Sequence, residues 1–139
     1  MTIVTVEETI AANANDVFKV LGDFGRIKVG GAITAFELEG EGVGAVRTIT
    51  MGGGQVIERL DEHDSEKLVF GYSILNEDNP LPVSNYSSQV EITANGEDAC
   101  TVNWSGTFEP KGADEAVASK VIHGIYTGGI ASTRKALGC

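Results

Sequence analysis

Six strand-like segments follow one another between Ala32 and Glu109, and the turns between them are too short for anything but local pairing. The segments are Ala32 to Glu39, Ala45 to Met51, Gln55 to His63, Leu68 to Leu75, Ser84 to Ala94 and Ala99 to Glu109. Among the intervening stretches, Gly40-Glu41-Gly42, Gly52-Gly53-Gly54, Asp64-Ser65-Glu66 and Asn95-Gly96-Glu97 have hairpin length, so neighbouring strands are expected to pair antiparallel in a meander. A sheet of this kind needs an apolar partner for its inner face. The partner lies in Ala113 to Leu137, where Ala116, Val117, Val121, Ile122, Ile125, Tyr126, Ile130 and Leu137 recur at three- and four-residue intervals and predict one long amphipathic helix closed by Gly138. Upstream, Thr2 to Thr9 reads as a further strand. Asn13 or Asn15 can then cap a short helix through Asp16, Val17, Phe18, Val20 and Leu21 that Gly22 stops, and a second helical turn is expected near Phe24 to Lys28.

The order predicts an α+β helix-grip fold: a curved antiparallel sheet of about seven strands around a long C-terminal helix, with two short helices after strand one. At 139 residues the chain is long enough for one core and too short for two, so residues 1–139 are read as a single domain without a linker. Gly124, Gly128 and Gly129 each cost the last helix roughly 1 kcal/mol relative to alanine, which predicts close approach to the sheet, room for a ligand or a bend there. The net charge of −10 repels phosphate backbones and anionic lipid, arguing against nucleic acid and membrane surfaces as partners. No stretch approaches the roughly 18 apolar residues of a membrane span, Glu7 and Glu8 interrupt what an export signal would need, and Cys100 and Cys139 are too few for a disulfide framework. A cytoplasmic monomer or homodimer is expected.

Strand periodicity places several polar groups on the apolar face. Arg47 shares parity with Ala45, Ile49 and Met51; Glu58 with Val56 and Leu60; Tyr72 with Phe70 and Ile74; Tyr86 and Ser88 with Val90 and Ile92. A buried charge needs a partner, and Arg47 and Glu58 on successive strands can serve each other. This is either a polar cluster in a cavity wall, an ion pair bracing the sheet, or a shift of register that leaves both residues outside. Trp104 reads as core with Val102 and Phe108, and the stiff Pro80-Leu81-Pro82-Val83 loop as a pocket lid. Gly40-Glu41-Gly42-Val43-Gly44 precedes a strand, so it is a hairpin turn and not a phosphate loop. His63 reads as part of a solvated turn and His123 as an exposed helix residue; neither a metal site nor a cofactor is expected.

Gly44-Ala45-Val46-Arg47, Glu58-Arg59-Leu60, Tyr72-Ser73-Ile74, Leu81-Pro82-Val83-Ser84-Asn85-Tyr86, Trp104-Ser105-Gly106-Thr107-Phe108 and Gly124-Ile125-Tyr126-Thr127-Gly128-Gly129 together resemble the START-like superfamily. That superfamily includes the polyketide cyclase/dehydrase and lipid-transport group and the birch-pollen-allergen fold, and the resemblance covers nearly the whole chain. Two branches look closest. The onion lachrymatory-factor synthase implies catalytic roles for Arg47, Glu58 and Tyr86; the plant abscisic-acid receptors imply binding roles for Glu58, Tyr86 and Ser88. The receptors' gate loop is replaced by Met51-Gly52-Gly53-Gly54 and their latch lacks its His-Arg-Leu, so hormone sensing through a phosphatase is not expected. A tryptophan common in relatives is replaced within Ile27-Lys28-Val29-Gly30-Gly31, which predicts a wider or differently closed mouth.

The leading expectation is binding of a small hydrophobic molecule, its polar head met by Arg47, Glu58 and Tyr86, with Ser88 nearby, and its body by Phe70, Tyr72, Ile74 and Leu81. The alternatives are a cofactor-independent cyclase, dehydratase or isomerase, with Glu58 moving a proton, and a domain whose interior is filled by its own side chains.

Overall fold

The computed structural model describes residues 1–139. Its elements run β1 (Thr2–Ile10), α1 (Ala14–Leu21), β2 (Ile33–Glu39), β3 (Val46–Met51), β4 (Gly54–Asp64), β5 (Val69–Ile74), β6 (Val83–Ala94), β7 (Cys100–Pro110) and α2 (Glu115–Leu137). The seven strands form one antiparallel sheet in the order β1-β7-β6-β5-β4-β3-β2. The meander is thus as the turns predict, and β1 closes onto β7 rather than onto its sequence neighbour β2. No helix is long and apolar enough to cross a membrane.

Both helices begin and end where the side chains dictate. The Asn13 carboxamide accepts from Asn15 N at the start of α1, and Asp114 accepts from Val117 N at 2.9 Å at the start of α2. Gly22 ends the first, and Gly138, in the left-handed region at φ 73°, ends the second. A second helical turn does not form after α1. Asp23 Oδ1 accepts from Gly25 N at 3.0 Å, giving a local turn that competes with helix, and Gly25 adds a low helix propensity. Residues 22–32 are therefore an irregular segment joining α1 to β2.

The core lies between the sheet and α2, which packs on β1, β7 and α1. Ala118, Ile122, Tyr126, Ile130 and Thr133 form its buried stripe. Val117, Val121 and Ile125 stay exposed, although their spacing suggested the core, because the buried stripe is narrower than the apolar one. At the far end, Arg134 ties α2 to β1 by an ion pair with Glu8 at 2.7 Å and a hydrogen bond to the Thr9 carbonyl. Register shifts at Leu60/Glu62 and Ser84/Ser87 add local twist, and Asn85 takes a positive φ of 53° at the second.

Two helix-to-sheet contacts depend on missing side chains. A Cβ on Gly129 would stand 2.8 Å from Trp104 Cζ3, and one on Gly106 would overlap the Tyr126 hydroxyl. Gly129 thus has the close approach that helix propensity leads one to expect. Gly124 and Gly128 do not: apart from the local backbone of α2 itself, nothing lies within 4 Å of a Cβ at either position.

Candidate functional site

Because α2 covers the β1–β7 side of the sheet, space remains between its C-terminal half, α1, residues 22–32 and the middle strands. The resulting cavity has a volume of about 500 Å³, which falls in the range of small-molecule sites. Phe24, Phe70, Tyr72 and Trp104 supply its aromatic wall, Gly129 and Ser132 its α2 side, and Arg26 and Lys28 part of its rim segment.

Arg47 projects into this wall from β3. It stands directly opposite Glu58 in the β3–β4 register, and its Nε donates to Glu58 Oε1 at 2.7 Å. Nη1 donates to the Phe24 carbonyl at 3.2 Å, and the guanidinium lies 4.0 Å above the Phe24 ring and 5.3 Å from that of Tyr72. These contacts hold its plane with little freedom. Nη2 has no protein partner, yet no buried polar side-chain atom in the protein is left unbonded. Nη2 is therefore not fully buried, and Arg47 is one of the residues that border the cavity. Burial pushes the Glu58 carboxyl above its ordinary value, and the adjacent Arg47 only partly offsets this.

Behind the wall runs a chain of hydroxyls. Tyr72 and Tyr86 are 3.4 Å apart, Tyr86 is bonded to Tyr126, and Trp104 Nε1 donates to Ser88 Oγ at 3.0 Å while its ring stacks on Tyr126 at 4.4 Å. Burial drives the Tyr72, Tyr86 and Tyr126 hydroxyls upward, so they act as neutral donors and acceptors at ordinary pH.

Of the eight residues selected from sequence, Arg47, Phe70 and Tyr72 border the cavity. Glu58, Tyr86 and Ser88 are buried but stand off the wall, each bonded to a residue on it. Ile74 and Leu81 pack against the main core and do not line the cavity either. The Pro80 ring rests on Gly52 and Gly54, so the proline loop is folded on the β3–β4 turn and is not a lid. Trp104, expected only as core, is a wall residue, and the irregular segment contributes Asp23, Phe24, Arg26, Ile27 and Lys28. His63 belongs to β4 rather than a turn, with its ring 4.9 Å from that of Phe18. His123 is exposed, and no three His, Cys, Asp or Glu side chains converge.

This arrangement can be set beside known proteins. The family model described as polyketide cyclase / dehydrase and lipid transport matches residues 1–138. The chain belongs to this family. Among solved structures similar to it is XoxI from Bacillus cereus, 29% identical with a TM-score of 0.82, covering 98% of this chain and 95% of that one. A second, an uncharacterized protein from Bacillus thuringiensis, is 28% identical with a TM-score of 0.81 over 97% and 98%. Norcoclaurine synthase from Thalictrum flavum, in complex with dopamine and hydroxybenzaldehyde, superposes with a TM-score of 0.73 at 20% identity over 98% and 85%, a likeness of fold alone. No curated protein matches. Family membership accounts for the helix-grip architecture.

Proposed function

We propose that the protein binds a small, largely apolar molecule in the cavity between α2 and the sheet. The observation that carries this reading is the wall itself: four aromatic rings around about 500 Å³ of space, with one guanidinium on it whose Nη2 has no partner in the protein. Aromatic surface binds the body of the ligand, and Arg47, oriented by Glu58 and Phe24, meets one acceptor on it. Tyr86 and Ser88 act at one remove, by fixing Tyr72 and Trp104. Proton transfer by Glu58 is the weaker reading, since its carboxylate is engaged by Arg47 and does not border the cavity.

The neutral fluorophore N-phenyl-1-naphthylamine tests the proposal, with Trp104, the sole tryptophan and a wall residue, as energy donor. Saturable binding with one probe per chain is expected, and Ser132→Trp, which places an indole in the cavity from an exposed helix position, should abolish it. Absence of saturable binding, or binding indifferent to Ser132→Trp, would count against the cavity as the ligand site.

A further inference from the structure

The charge on the cavity is opposite to that of the molecule. Three of the ten Lys and Arg residues line it, against one of the twenty Asp and Glu, so a chain of net charge −10 keeps a locally positive recess. Glu58 neutralises Arg47 from behind. Arg26 and Lys28 have no such partner: neither side chain takes part in an ion pair or a hydrogen bond with any other group of the protein. Asp23 is the single carboxylate on the wall, and one of its oxygens already accepts from Gly25 N. Two uncompensated cations at the edge of an aromatic recess, with the free Nη2 of Arg47 deeper on the same wall, form a gradient that favours a negative group at the mouth and disfavours a positive one.

We propose that the ligand is an apolar anion: an aromatic or aliphatic body carrying a carboxylate, sulfonate or similar group, held by Arg26 and Lys28 at the entrance and within reach of Arg47. This rests on the cavity being the binding site and adds the charge class of what enters. It also assigns a role to residues 22–32, whose local turn at Asp23 and Gly25 replaces a helix and brings Arg26 and Lys28 to the rim. A helix through the same residues would distribute those two side chains differently around its axis.

A body-matched pair of probes separates the two levels of the argument. 8-Anilino-1-naphthalenesulfonate is the anion, and N-phenyl-1-naphthylamine is the same ring system without the sulfonate. In the Arg26→Gln/Lys28→Gln double variant, the dissociation constant of the sulfonate probe should rise roughly threefold to tenfold at low salt, as for two partly exposed ion pairs. Raising the salt should erase most of that difference, and the neutral probe should change by less than about twofold, which also shows that the variant is folded. An unchanged sulfonate affinity in the double variant overturns the inference and leaves the cavity reading intact. Sulfonate binding that survives Ser132→Trp overturns it too, because the anion then sits elsewhere. Failure of both probes to bind removes the cavity reading and the inference with it.

Discussion

Replacing each of the three glycines of α2 by alanine should stabilise the protein at two positions and fail to do so at the third. Gly124→Ala and Gly128→Ala add a methyl group to open space, where the new Cβ meets nothing within 4 Å beyond the local backbone of its own helix. Each is expected to stabilise the protein by about 0.8–1 kcal/mol, the difference in helix propensity. Gly129→Ala receives the same propensity gain but sets its Cβ 2.8 and 2.9 Å from Trp104 Cζ3 and Cη2. Ordinary carbon contact begins near ~3.5 Å, so the indole or the helix must retreat by about 0.7 Å. A retreat would disturb the stacking of the ring on Tyr126 and the hydrogen bond from its Nε1 to Ser88. Overpacking of this kind costs about 1–3 kcal/mol, which equals or exceeds the gain. Urea denaturation followed by Trp104 fluorescence and by far-ultraviolet circular dichroism measures all three. Thermal midpoints should rise by about 2–5 °C for each open-site variant and stay level or fall for Gly129→Ala. If Gly129→Ala stabilises as much as Gly124→Ala, the indole does not lie against α2 and Trp104 is not part of the cavity wall.

Arg47→Ala should destabilise by about 3–5 kcal/mol, because it leaves the buried Glu58 carboxylate without its partner, whereas Arg47→Met combined with Glu58→Leu should recover most of the loss; a double-mutant cycle in urea measures both. Glu58 binds its proton more tightly folded than unfolded, so its contribution to stability falls as pH rises above the ordinary carboxylate value of 4.5 toward its raised folded value. Thermal midpoints across that window should therefore decline less with rising pH in Glu58→Gln than in the wild type, and parallel curves would remove the carboxylate as the cause. Gly106→Ala should be strongly destabilising, and adding Tyr126→Phe, which removes the oxygen that the new Cβ would overlap, should restore part of the stability in the same denaturation assay.

What could be read from the sequence was whatever period two or a glycine turn encodes. The meander follows from turns such as Gly52-Gly53-Gly54, and the inward direction of Arg47 and Glu58 from their parity, so their pairing across β3 and β4 can be inferred from the sequence. The position of the cavity was not. It depends on how far α2 extends across the sheet, and period alone overstated its buried face by including Val117, Val121 and Ile125. Trp104 illustrates the same limit, since parity says that it points inward but not whether its ring meets side chains or space. Arg26 and Lys28 lay in the segment expected to form a helical turn, where a hydrogen bond from Gly25 N to the Asp23 side chain decided otherwise. Irregular backbone carries no period from which side-chain direction can be deduced.

The pairing of β1 with β7 also sets an order of events at the ribosome. Thr2 meets Phe108 and Ile10 meets Cys100, so the partners of the first strand are made 90 to 106 residues after it. At translation rates of about 5–20 residues per second, that strand waits roughly 5–20 s before its edge can be satisfied. The middle hairpins can form meanwhile, but their apolar face has no cover until α2 follows β7 out of the tunnel. A nascent chain arrested before residue 100 would thus present an unpaired strand and a bare sheet face together, the two features that chaperones and aggregation both select.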